Sequence, residues 1–202
     1  VLLILTGDIQ IGKTRWLQRS IERLGQAGVV CEGVVAPGVW REHAGERGAV
    51  SYEKEGIDNV LLPEGERVPF ARREDLARAE GTYRPQNQAA QVGMTWHIDD
   101  AAVARVNAHF DALDARPAQG GPRLLVVDEL GRLELLHDGG LTSAVRMLAA
   151  GPRGRYAHAL VVARSLFGLA DLVEERFAGA WGGAARLAPT EQSWSRWLEP
   201  LT

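Results

Sequence analysis

The sequence predicts an α/β fold with a largely parallel sheet, and three observations carry the prediction. Short continuous apolar runs recur along the chain, as strands buried on both faces require. Stretches with helical apolar spacing separate most of these runs, which is the alternation of a wound parallel sheet. Between the first run and the first helix stands a glycine-punctuated turn.

The run Val1-Leu2-Leu3-Ile4-Leu5 reads as the first strand. Lys13 to Ala27 follows as a helix, with Leu17, Ile21 and Leu24 at steps of four and three and Gly28 just past its end. Val29 to Ala36 is a second strand, closed by Pro37-Gly38. From about 37 to 97 the pattern changes to short β-like pieces (Ala49–Tyr52, Val60–Leu62, Val68–Phe70) broken by Gly, Pro and charges, with Glu74–Glu80 as a helical turn. We read this stretch as a β-rich elaboration. A helix resumes after a cap at Asp99 or Asp100, with Val103, Val106, Phe110 and Leu113 as its stripe. Pro117 to Pro122 is a loop and Leu124–Val127 a strand. Leu141–Ala150 reads as a helix, Leu160–Ala163 as a strand, Leu166–Phe177 as a helix and Arg186–Ala188 as a short last strand. Thr190–Leu198 closes the pattern as a helix whose Trp194, Trp197, Leu198 and Leu201 fall on one face. With no repeat or linker in view, residues 1–202 are expected to form a single domain.

Composition narrows the function. The chain has 23 cationic and 26 anionic residues, a net charge of −3 and 46% hydrophobic content, which argues against disorder. Its pI near 6.0 offers no bulk attraction to nucleic acid or anionic membrane. No apolar run is long enough to span a bilayer, and a cytoplasmic setting is the expectation. Cys31, the single cysteine, rules out an intramolecular disulfide, and five scattered histidines without ligand spacing predict no zinc site. Only Lys13 and Lys54 are lysines, against 21 arginines. A site that keeps lysine in such a background needs a compact ammonium, and Lys13 is the candidate.

Gly7-Asp8-Ile9-Gln10-Ile11-Gly12-Lys13-Thr14 matches G-x-x-x-x-G-K-[ST] at every fixed position. From the chain's own residue frequencies about 0.002 chance matches are expected, so the motif is read as real. Backbone N–H groups wrapped at a helix N-terminus attract an anion, and the helix dipole adds to that attraction. Residues 7–15 (Gly7, Asp8, Ile9, Gln10, Ile11, Gly12, Lys13, Thr14 and Arg15) are therefore the candidate nucleotide-binding set. Lys13 is expected at the β- and γ-phosphates and Thr14 on Mg²⁺. Asp8 fits only with its carboxylate pointing outward.

A second element is Leu124-Leu125-Val126-Val127-Asp128-Glu129, four apolar residues and then two acids at the strand end that faces the ligand crevice. Asp128 is the expected second Mg²⁺ ligand, and Glu129 the residue that orients an attacking water. The 115 residues between Lys13 and Asp128 leave room for an extra strand between the two motif strands. Arg164, after a strand end, is a candidate sensor of the γ-phosphate. Arg132 and Glu134 read locally as a surface ion pair, and Arg84 is a weaker candidate. Trp40 and Trp96 are of the right chemistry to stack on a base, with nothing to place them.

Gly12-Lys13-Thr14, and above all Val127-Asp128-Glu129-Leu130-Gly131-Arg132-Leu133-Glu134-Leu135, resemble the small nucleoside-triphosphatase family first described in thermophiles, which includes the cancer-related human nucleoside-triphosphatase. The resemblance extends to a Val92-Gly93 segment and a helix after Pro189-Thr190-Glu191. It implies a three-layer P-loop fold of RecA type, in the additional-strand class, that hydrolyses nucleoside triphosphates slowly, with Mg²⁺ and broad base tolerance. It also implies that Arg132 and Glu134 belong to the rim of the site. Gln10 stands where such loops often carry glycine, Arg15 where a second threonine is usual, and Trp40–Gln91 matches only loosely. Two other readings stay open: a small-molecule or nucleotide kinase whose insert binds the acceptor, and a nucleotide-dependent switch that reports its state to a protein partner.

Overall fold

A computed structural model of the chain describes residues 1–8, 11–44, 50–117 and 121–202. Ile9, Gln10, Ala49 and the middle of the 117–122 loop lie outside the described residues. The first half comprises β1 (Leu2–Leu5), α1 (Lys13–Gln26), β2 (Val30–Val35), β3 (Gly38–Ala44), β4 (Val50–Leu62), β5 (Glu66–Arg73), α2 (Glu74–Ala79), α3 (Gln88–Gln91) and β6 (Trp96–Ile98). The second half comprises α4 (Asp100–Ala115), β7 (Arg123–Asp128), α5 (Arg132–Leu136), α6 (Thr142–Ala150), β8 (His158–Val162), α7 (Leu169–Phe177), β9 (Ala184–Leu187) and α8 (Glu191–Trp197).

All the described strands join one sheet, ordered β6-β5-β4-β2-β7-β8-β1-β9, with β3 paired to β4. The five strands from β2 to β9 are mutually parallel, while β3 to β6 extend that sheet antiparallel beyond β2. The parallel strands are buried on both faces, and their alternating side chains feed two cores. Leu2, Ile4, Leu125, Val127 and Val161 pack with Val106 and Phe110 of α4, Leu148 of α6 and Val173 of α7. Leu3, Leu5, Leu124, Val126 and Leu160 pack on the opposite face with Trp16, Leu17 and Leu24 of α1 and Trp194 and Leu198 of the C-terminal segment. Each fully buried leucine contributes about 1.5–3 kcal/mol to the three-layer packing.

Caps follow the sequence. Asp99 accepts the Ala101 N–H at 3.1 Å and starts α4, and Thr190 accepts the Ser193 N–H at 3.2 Å and starts α8.

Several boundaries differ from expectation. The helix expected from Leu166 begins at Leu169, because Phe167 (φ 60°) and Gly168 (φ 65°) break the helical backbone, and Leu166 and Phe167 are exposed. The last strand runs Ala184–Leu187 rather than Arg186–Ala188. In place of separate short pieces, a long hairpin of β3 and β4 projects from the sheet, nearly all of β3 being exposed. An additional strand does lie between β1 and β7, but it is β8, which follows Asp128 in the chain. The 115-residue interval is filled instead by β2, which pairs on the far side of β7, and by the extension.

Candidate active site

At the carboxyl ends of the parallel strands, the chain leaves β1 and re-enters as α1. Gly12 is the residue before that helix and sits in the left-handed region at φ 89°, where a side chain is strained. α1 has no acid in its first turn, so nothing in that turn offsets the positive end of its dipole. Lys13 is 8% exposed, and its Nζ donates to the Gly7 carbonyl at 3.0 Å and the Asp8 carbonyl at 2.6 Å. Burial lowers the Lys13 pKa, while Glu129, Asp128 and Asp8 nearby favour the charged form. Asp8 is exposed, and its carboxylate is near enough to Lys13 to favour the ammonium. Ile11 and Arg15 are exposed as well, and the reach of their side chains to a ligand rests on the motif alone.

Asp128 ends β7 and is 2% exposed. One of its carboxylate oxygens accepts the Ala36 N–H at 3.0 Å, just past the end of β2, and the Thr14 side chain lies near enough to favour the charged carboxylate. Burial pushes the Asp128 carboxyl up to about 7, against the lowering effect of those two contacts and of Lys54. A buried carboxylate so disposed takes up either a proton or a cation. With the Thr14 hydroxyl it presents two hard oxygens, the donor set Mg²⁺ uses when phosphates and water complete its shell. Among the described residues no group of three or more His, Cys, Asp and Glu forms a metal cluster.

Glu129 follows Asp128 through a cis peptide and meets Arg164, which stands two residues past β8. The guanidinium forks onto the carboxylate, Nε to Oε1 at 2.6 Å and Nη2 to Oε2 at 3.4 Å. β8 lies between β7 and β1, so Arg164 emerges between the acid pair and the glycine loop. Arg164 therefore holds Glu129 directly, an arrangement its expected role as a phosphate sensor did not include.

Glu134 is neither a rim residue nor half of a surface ion pair. It is buried, and its carboxylate accepts the Gly131 N–H at 2.9 Å and the Leu141 N–H at 3.2 Å, tying α5 to the start of α6. Arg132 instead reaches the Val92 carbonyl at 3.4 Å and stands 5.7 Å from the Phe167 ring. Arg84 donates to the carbonyls of Gly81 and Tyr83 in its own loop. Sequence reasoning passed over Lys54, whose charge is felt by Glu129 and Asp128. The available signal was its rarity, the same argument that singled out Lys13.

A mixed sheet with five parallel strands and a glycine loop at its first strand–helix junction defines a P-loop α/β protein. The family model for NTPases matches residues 2–150, and the chain belongs to that family. No curated protein and no solved structure matches it. Membership supports nucleoside-triphosphatase activity in general, and both the loop and the acid pair lie within the matched residues.

Proposed function

We propose that this protein is a Mg²⁺-dependent nucleoside-triphosphatase that cleaves the γ-phosphate of ATP, GTP and other nucleoside triphosphates, acting as a single RecA-type domain in the cytoplasm. The observation that carries the reading is that the carboxyl ends of the neighbouring strands β1, β8 and β7 bring together the glycine loop bonded by Lys13 and the acid pair held by Arg164.

In this reading the loop N–H groups and α1 bind the phosphates, and Lys13 exchanges its two loop carbonyls for the β- and γ-phosphate oxygens. Thr14 and Asp128 hold Mg²⁺, which when bound neutralises charge on the polyphosphate. Glu129 orients a water so that its oxygen attacks the γ-phosphorus as the bond to the β–γ bridging oxygen breaks; the diphosphate leaves with that oxygen, and the water proton passes to Glu129 or to the released phosphate. Arg164 fixes the carboxylate that does this. The partly exposed pair makes Glu129 a restrained rather than a free base, in keeping with slow turnover.

A panel of ATP, GTP, CTP and UTP, each with and without Mg²⁺, tests the proposal by measuring binding and phosphate release together. Hydrolysis without an added acceptor is expected only with the ion present, and Lys13→Ala is expected to lose most triphosphate affinity. Faster transfer to a metabolite acceptor than to water would replace the hydrolase reading with a kinase.

A further inference from the structure

Both lysines of this arginine-rich chain converge on the acid pair, yet only one belongs to the glycine loop. Lys54 lies on β4, opposite Trp40 of β3 in the hairpin register. The neighbouring strand residues are matched with arginines: Glu53 pairs with Arg73, and Glu55 with Arg41 at 2.6 Å and Arg72 at 3.1 Å. Lys54, between them in sequence, has no hydrogen bond or ion pair among the described residues, and its ammonium stands 5.5 Å from the centroid of the Trp96 ring.

Two further observations place it. A Cβ built on Gly38 would stand 2.8 Å from Lys54 Cε and 2.7 Å from Trp40 Nε1, so both side chains lie against the backbone of Gly38. Gly38 is two residues beyond Ala36, whose N–H holds Asp128. Two Cα steps cover at most about 7.6 Å, so the Lys54 side chain packs on the same short segment whose backbone holds the buried carboxylate. Its ammonium interacts electrostatically with Glu129 and Asp128 and against Arg164. A partly buried cation without a hydrogen-bonded partner is costly unless something supplies the missing acceptor.

We propose that Lys54 is a second lysine ligand of the triphosphate, delivered by the β3–β4 hairpin to the γ-phosphate end of the site, with Trp40 and Trp96 flanking it. The inference rests on the nucleoside-triphosphatase reading above. The transferring γ-phosphoryl group carries charge on three oxygens, and a lysine that meets it from the hairpin side complements Lys13, which meets it from the loop. A diphosphate does not extend to that end, so Lys54 separates substrate from product where Lys13 does not.

The test measures calorimetric affinities of the Mg²⁺ complexes of ADP and of the β,γ-imido analogue of ATP, together with phosphate release. The variants are Lys54→Met, Lys54→Gln and Lys54→Arg beside the parent. The Met and Gln variants are expected to melt like the parent, to keep ADP affinity within about twofold and to lose analogue affinity by roughly 10- to 100-fold. Lys54→Arg, which keeps the charge, is expected to restore most of that loss. Parental analogue affinity in both neutral variants overturns the inference, as does an equal loss for ADP and analogue or a failure of Lys54→Arg to rescue. A parent protein that binds neither nucleotide overturns the proposed function and this inference with it, whereas a binding parent with unmoved Lys54 variants overturns this inference alone.

Discussion

Replacing Glu129 by Gln changes one charge and almost no volume, and so isolates what the carboxylate does. The side chain is 28% exposed and that of Arg164 37%, so their pair contributes at most about 1 kcal/mol to folding and the variant keeps its fold. Binding is expected to hold or improve, because the lost negative charge faces the same space as an incoming polyphosphate. Turnover is expected to fall by about 10²–10⁴-fold, the usual worth of a positioned acid–base group. That fall corresponds to a barrier raised by roughly 3–5.5 kcal/mol. Phosphate release at saturating Mg·ATP gives the rate, and calorimetry with the same nucleotide gives the affinity. A glutamine variant that releases phosphate at the parental rate removes Glu129 from the mechanism. One that loses affinity and rate together makes it a binding residue instead.

Other expectations concern the scaffold. Glu32 is buried and accepts hydrogen bonds from Arg123 and, at 2.9 Å, from the Tyr156 hydroxyl, so Glu32→Ala is expected to cost about 3–5 kcal/mol, read as a lower urea midpoint at unchanged slope. Gly140 has φ 63°, and an added Cβ would stand 2.0 Å from Glu134 Oε1; Gly140→Ala is expected to destabilise by about 2–5 kcal/mol in the same assay. His109 is buried, with Nε2 3.1 Å from the Gly33 carbonyl and 3.0 Å from that of Leu62, and burial holds its pKa below the ordinary 6.5. Below pH 6.5 the unfolded chain therefore binds the extra proton first, and stability is expected to fall as pH drops from there through the native pKa. His109→Gln is expected to flatten that part of the stability–pH curve measured by denaturant titration.

What the sequence revealed tracks how far burial dictates residue choice. β1 and β7 lie between two helical layers, so Leu2–Leu5 and Leu124–Val127 had to be apolar at every position and were legible as strands. The glycine loop was legible from its match to a motif of fixed spacing, and the acid pair from two charges that close a wholly apolar run. β3 was not, since Val39-Trp40-Arg41-Glu42-His43 is exposed on both faces and carries no alternation of burial to leave in the sequence. Leu166 and Phe167 misled in the opposite sense: they are apolar but exposed, at 50% and 64%, so their pattern suggested a helical turn with no core behind it. Glu134 stands between the buried Leu133 and Leu135, and only the approach of Leu141 at the start of the next helix reveals that its carboxylate accepts backbone N–H groups. The Arg164–Glu129 pair depends on β8 entering between the two motif strands, a tertiary fact with no local signature.

That strand order also explains why so much converges on one place. β1, β8, β7 and β2 are adjacent and parallel, and three interstrand spacings of about 4.8 Å set their carboxyl ends within roughly 15 Å. Those four ends deliver, in order, the glycine loop, Arg164, the Asp128–Glu129 pair and the Ala36 N–H that holds Asp128. Their relative positions are set by the two packed cores and change little without unfolding the sheet. Lys54 comes instead from outside the parallel strands, on a hairpin that pairs with β5 and whose Glu53 and Glu55 make ion pairs to it. Under the proposed function, the groups that meet any nucleotide come from the packed parallel strands, and Lys54, which meets the γ-phosphate, comes from the antiparallel extension.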